Sequence, residues 1–186
     1  MFLDIAIGIL TAIGISEFFD MPLNALFVAG GILFALLPDI DYLFFCIRDG
    51  NQKYAHQHRD LIHYPLFYIP LGMIAASLVN VHWGLLFGIT SLLHFLHDSI
   101  GIGWGIKWLW PFSQKSFKLF SRKDGQLSWS WRHYAAWTPQ ELKIVAETHG
   151  DPNWFRNIYL RWHPYAIVEF LAFLIALIVL LFRQLQ

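Results

Sequence analysis

A chain of 186 residues with 56% hydrophobic, 18% aromatic and 14% charged residues, at a mean hydropathy of +0.46, falls well short of the roughly 25% charged residues of a soluble domain. That deficit excludes an ordinary water-solvated surface and makes lipid part of the solvent. Thirteen basic residues balance thirteen acidic ones, so no net charge argues for nucleic acid as a partner, and the single cysteine, Cys46, excludes an intrachain disulfide.

The hydropathy pattern predicts an all-α integral membrane protein, one domain over 1–186 with about five transmembrane helices. The spans are expected at 2–19, 23–47, 65–79, 83–100 and 164–182. Residues 2–19 carry Asp4 near one end and Glu17 near the other. They have no basic leader and no small-x-small cleavage site, so a retained helix is expected rather than a signal peptide. Asp20-Met21-Pro22 breaks this run, and the second contains Pro38-Asp39-Ile40-Asp41 towards its end. The third is short and holds Pro70. A bilayer core of about 30 Å needs roughly 17–25 apolar residues per helix, which makes the third span marginal. The last is nearly unbroken aliphatic sequence, with Glu169 its one ionisable group before Arg183.

The connection 101–163 differs. It holds eight of the nine tryptophans, and aromatics mixed with Lys and Arg describe a layer at the membrane surface. Two short helices are expected in it. Thr138-Pro139-Gln140-Glu141 reads as a capping box with proline at the first helical position, stopped by Gly150. Asp151-Pro152 starts another that runs towards Arg161. Twelve of the thirteen Lys and Arg residues fall in 48–63 and 101–163. With five spans these connections share a side, which the positive-inside rule makes cytoplasmic. The N-terminus is then inside and the C-terminus outside a bacterial or archaeal plasma (inner) membrane.

Three His/Asp clusters interrupt the apolar sequence. Asp39 and Asp41 flank Ile40 beside a proline, where a helix loosens and both carboxylates can turn to one point. His58-Arg59-Asp60-Leu61-Ile62-His63 is the second cluster, with His56 upstream. His94, His97 and Asp98 stand at i, i+3 and i+4, one face of a helix. Each cluster alone has a plainer reading: a solvated helix end, interfacial histidines, or hydrogen bonding between packed helices. Ionisable groups inside a span cost about 2.5–3.5 kcal/mol on insertion scales and are functional candidates by default. The five-span topology brings all three clusters to one side. Mixed N and O donors without thiolates suit a catalytic divalent metal, zinc first, with manganese or iron as alternatives. His82, His133, His149 and His163 read as turn or surface residues.

With Leu109-Trp110-Pro111-Phe112 added, the set Leu37-Pro38-Asp39-Ile40-Asp41, His58-Arg59-Asp60-Leu61-Ile62-His63 and His94-Phe95-Leu96-His97-Asp98 resembles a known family. These are the LexA-binding, inner-membrane-associated hydrolases, also described as membrane-bound metal-dependent hydrolases. The resemblance covers roughly residues 1–113. It implies Asp39, Asp41, His58, His63, His94 and Asp98 as metal-site residues and leaves His97 outside the pattern. Where the family opens with a histidine four residues before a glycine, this chain has Asp4 before Gly8. Asp4 and His97 are therefore additional metal-site candidates.

The function expected is metal-dependent hydrolysis at the cytoplasmic leaflet, with Arg59 or Asp60 set against the developing charge. Membrane lipids are the expected partners, and Lys107, Lys115, Arg122 and Lys123 suit a phosphorylated, lipid-like substrate. The alternatives are a metal-binding or metal-transporting membrane protein, and a scaffold whose Trp-rich layer binds a protein.

Overall fold

Each long apolar run closes on a local stop signal. Helix α1 (Phe2–Phe18) ends just before Asp20, whose φ of +49° turns the chain. Asn24 caps α2 (Ala25–Leu36) by accepting the Phe27 N–H at 2.9 Å, satisfying one of the donors a helix start leaves open. Leu37–Asp39 then tighten into one 3-10 turn, where the sequence predicts that the helix loosens beside Pro38. Helix α3 (Pro65–Ser77) starts on a proline and carries Pro70 inside, where the ring removes a ladder hydrogen bond. Asn80 accepts the His82 N–H at the start of α4 (Val81–Ile100). Beyond it lie β1 (Ser116–Leu119), β2 (Tyr134–Trp137), α5 (Pro139–His149), α6 (Trp154–Tyr159) and α7 (Pro164–Gln184). The computed structural model describes residues 1–42, 62–126, 128, 130, 132–151 and 153–185.

The chain divides into two compact units. The first comprises Met1–Pro38, Ile69–His94 and Phe155–Gln186, and the second Asp39–Tyr68 and Phe95–Trp154. In the first unit α1 is central. Its Gly8 meets Gly31 of α2 so closely that a Cβ on Gly8 would sit 2.6 Å from the Gly31 carbonyl; small residues let helix backbones approach in this way. Phe2 packs on Phe170 and Phe173 at the start of α7, with ring centroids 5.4 and 5.8 Å away. At the far end Glu17 pairs with Arg183, so α1 and α7 run parallel. Asp4 meets His94 and Phe19 meets His82, so α1 and α4 run antiparallel. These contacts bring Asp4, His94 and Glu169 to one end of the unit.

This unit buries polar groups beside an apolar core of Ile9, Ile13, Phe27 and Leu86, and leaves large apolar side chains exposed. Asp4, Ser16, Thr90, Ser91, His94 and Glu169 are buried, whereas Leu33, Leu71, Ile74, Leu171, Ile175 and Leu181 are exposed. Apolar side chains facing out and polar ones facing in suit a hydrocarbon solvent.

The count of five spans is corrected. Among the described residues two helices are long and apolar enough to cross a membrane, Ala25–Tyr42 and Pro164–Gln184. Helix α1 has 17 residues and α3 has 13, about 20 Å for the latter at 1.5 Å per residue. Helix α4 has the length, but His82, His94, His97 and Asp98 hold its hydropathy down.

The second unit adds a feature the sequence reading lacks. Strands β1 and β2 pair antiparallel, with Ser116 opposite Trp137 and Leu119 opposite Tyr134. The capping box is present: Thr138 Oγ1 accepts the Glu141 N–H, and Glu141 accepts the Thr138 N–H at 2.8 Å. That backbone bond lowers the pKa of the exposed Glu141 carboxyl.

The contact between Gly8 and Gly31 is testable. Gly8→Ala is expected to lower the thermal unfolding midpoint in detergent, an overpacking cost of about 1–3 kcal/mol. Gly14→Ala, where an added Cβ meets nothing within 4 Å, is expected to hold or raise the midpoint, because alanine is the better helix former.

Candidate metal centre

The site grows from helix ends. Asp39 closes the 3-10 turn after α2, His63 lies two residues before α3, and Asp98 occupies the last turn of α4. In the second unit His63 Nε2 lies 3.8 Å from Asp39 Oδ1 and 3.4 Å from Asp98 Oδ2. The boundary between the units crosses α4, which is unbroken, so His94 is held one turn before Asp98 by the helix itself. In the second unit, ligand-capable atoms of Asp39, His63 and Asp98 all lie within 4.8 Å of one another.

Donors about 2.1 Å from a tetrahedral ion stand about 3.4 Å apart, so the one-His, two-Asp set of the second unit needs only a small contraction to close on one. His63 and His94 are fully buried, and Asp39 is the open side, its side chain 39% exposed.

A second ring of contacts fixes the imidazoles. His63 Nδ1–H donates to Asp41 Oδ2 at 3.1 Å, and His94 Nδ1–H donates to Asp4 Oδ1 at 3.0 Å. Each carboxylate therefore holds one ring nitrogen and leaves Nε2 as the donor for a metal. Carboxylate–histidine–metal relays of this kind set tautomer and ring orientation. Asp4 also lies 2.8 Å from the Met1 amine, which reaches Glu169 at 3.3 Å, and Tyr159 Oη donates to Glu169. Phe95 packs edge-on to the His63 ring with centroids 5.8 Å apart.

The electrostatics favour a cation. Burial works against charge on His63, but hydrogen bonds to Asp39, Asp41 and Asp98, with the Asp98 charge, outweigh it and push the pKa up to about 10. At neutral pH the metal-free imidazole therefore carries a proton, and a metal ion must displace it.

Of the residues singled out in the sequence, Asp39, His63 and Asp98 converge in the second unit, and His94 stands one helical turn before Asp98. Asp41 stands behind His63 and Asp4 behind His94, and His97 lies outside this group. His58, Arg59 and Asp60, with His56, lie outside the described residues. Phe95 and Tyr159 escaped the sequence reading, since an aromatic residue in an aromatic-rich helix gives no signal. The pairing of Asp4 with His94 spans 90 residues of sequence and has no local signature.

The family model described as YdjM inner membrane protein matches residues 3–186. No curated protein and no solved structure matches the chain.

Two outcomes test the geometry. Asp4→Asn and Asp41→Asn are each expected to weaken zinc binding 10–100-fold, the usual effect of losing an orienting carboxylate, with larger losses for Asp39→Ala or Asp98→Ala. Competition against a chelating dye measures both. Because His63 must lose its proton, affinity is expected to rise about tenfold per pH unit between pH 7 and 9, below the pKa of about 10. A flat profile would contradict a protonated His63.

Proposed function

The chain belongs to the YdjM inner membrane protein family, and from that premise we propose that it is a membrane-bound, metal-dependent hydrolase. The observation that carries the reading is His63, held through Nδ1 by Asp41, beside the carboxylates of Asp39 and Asp98, with His94, held likewise by Asp4, one turn before Asp98 on the same helix. Such a donor set, without thiolates, suits zinc, manganese or iron in a catalytic rather than a structural role. A divalent ion bound there would lower the pKa of a coordinated water towards about 7 and polarise the scissile group.

The protein's own groups divide the remaining tasks. Asp4 and Asp41 keep His94 and His63 in one tautomer. Asp39, half-exposed, marks the side from which a substrate enters. Arg59 and Asp60 are the groups we assign to the developing charge, on sequence position alone. The substrate class we favour is a phosphorylated, lipid-like molecule, supported by the site's place in a membrane protein and by Lys107, Lys115, Arg122 and Lys123. The end of the first unit bearing Asp4 and His94 would face the cytoplasm, since the basic connection 101–163 joins α4 to α7 at that end.

A transporter would carry its ligands near the bilayer midplane with access from both sides. His94 and Asp98 instead lie in the last two turns of α4, which favours the hydrolase reading.

Purified protein is expected to contain close to one equivalent of metal, lost in the double variant His94→Ala, Asp98→Ala. The metal-loaded wild type is expected to release phosphate or a phosphorylated headgroup from a panel of phospholipids and polyprenyl phosphates. Metal without turnover, together with metal uptake by proteoliposomes, would move the reading to transport. No metal in either form would end it.

A further inference from the structure

The turn around Leu109–Phe112 has a role that the metal centre does not account for. Trp110 stacks on Tyr64 with ring centroids 4.4 Å apart and an interplanar angle of 28°, and meets Phe67 edge-on at 5.4 Å. That packing fixes the base of the turn and leaves its tip outward. Phe112 is 85% exposed and Leu109 50% exposed, with exposed Pro111 between them. Large apolar groups held outward by a rigid aromatic base are not what a water-facing turn presents.

Two further observations identify what covers the tip. Exposed Phe67 begins a stripe along α3 that continues through Leu71 and Ile74, all exposed, at the i, i+4 and i+7 positions of one helical face, with exposed Leu78 in the turn just beyond it. At 13 residues this helix is about 20 Å long, too short for a 30 Å core but suited to lying in its boundary. The charge around the tip has one sign: residues 99–123 contain five basic side chains and no Asp or Glu. Lys107 and Lys115 flank the tip itself, and Lys115 is exposed.

We infer that the turn 107–115 inserts Leu109 and Phe112 into the boundary between headgroups and acyl chains of an anionic leaflet, with Lys107 and Lys115 on the lipid phosphates. The occupant is the bilayer surface. This inference is independent of the metal centre: it needs neither a bound ion nor turnover.

The test uses the full-length chain with Cys46→Ser, carrying Phe112→Cys labelled with the environment-sensitive fluorophore NBD. The protein is reconstituted in nanodiscs of phosphatidylcholine alone or mixed with phosphatidylglycerol. The same label at exposed Asp124 is the water-facing control. The label at 112 is expected to show blue-shifted emission and a several-fold loss of iodide quenching in anionic discs, while the label at 124 shows neither. Adding Lys107→Gln and Lys115→Gln is expected to reduce insertion roughly fivefold per lysine. Emission at 112 that matches the control in anionic discs overturns the inference. So does protection found only in native membranes, which would mark a protein partner. Metal content measured on the same samples separates this outcome from failure of the hydrolase reading.

Discussion

Ionisable side chains inside an apolar helical unit must be paired, and this constraint organises the first unit. An uncompensated carboxylate in a low-dielectric interior costs several kcal/mol. Asp4 and His94 are both about 1% exposed and resolve that cost by bonding to each other at 3.0 Å. The bond also sets the register of α1 against α4. One turn further along α1, Gly8 must then find a partner with no side chain, and Gly31 of α2 is that partner. Neither contact is generic. A slide of one turn would put Asp4 against hydrocarbon and a side chain against the Gly8 backbone.

The same economy recurs in the second unit with the pair Asp41 and His63. The surroundings differ, because this unit has a two-stranded sheet and a water-facing helix, α5. Its buried groups include Lys118, whose ammonium donates to the Gly103 carbonyl in the loop that follows α4. The first unit exposes apolar side chains around a core that also holds paired polar groups. The second carries most of the chain's basic residues and tryptophans.

Much of this was legible in the sequence, for reasons that also explain the gaps. The helix start at Thr138 announces itself through its capping box, and the structure has a helix there; the caps at Asn24 and His163 came only with the structure. The His/Asp clusters were visible because ionisable groups in apolar runs are costly. What the letters could not give was the division of labour within a cluster. Asp39 and Asp41 are chemically alike and two residues apart, yet one faces His63 Nε2 and the other Nδ1. The hairpin was hidden because its alternation runs against the usual rule: β1 buries Ser116 and Lys118 and exposes Leu119. The number of spans was overread because hydropathy measures apolarity, and half of α1 faces protein rather than lipid.

The position of the site has its own electrostatic logic. Asp39 follows the C-terminal end of α2, and Asp98 sits at the C-terminal end of α4. Helix C-termini carry partial negative charge and favour a nearby cation by about 0.3–1 kcal/mol each. One helix N-terminus, that of α3, lies beside His63 and opposes them. These contributions partly oppose one another and are small beside the carboxylates, so the carboxylates decide the sign of the site. In the metal-free protein the proton on His63 offsets part of that charge. A divalent ion that displaces the proton adds one net positive charge to a site whose three carboxylates already exceed one proton's worth. The negative charge that raises the histidine pKa is therefore the same charge that would favour a divalent ion there, and the two effects have one cause.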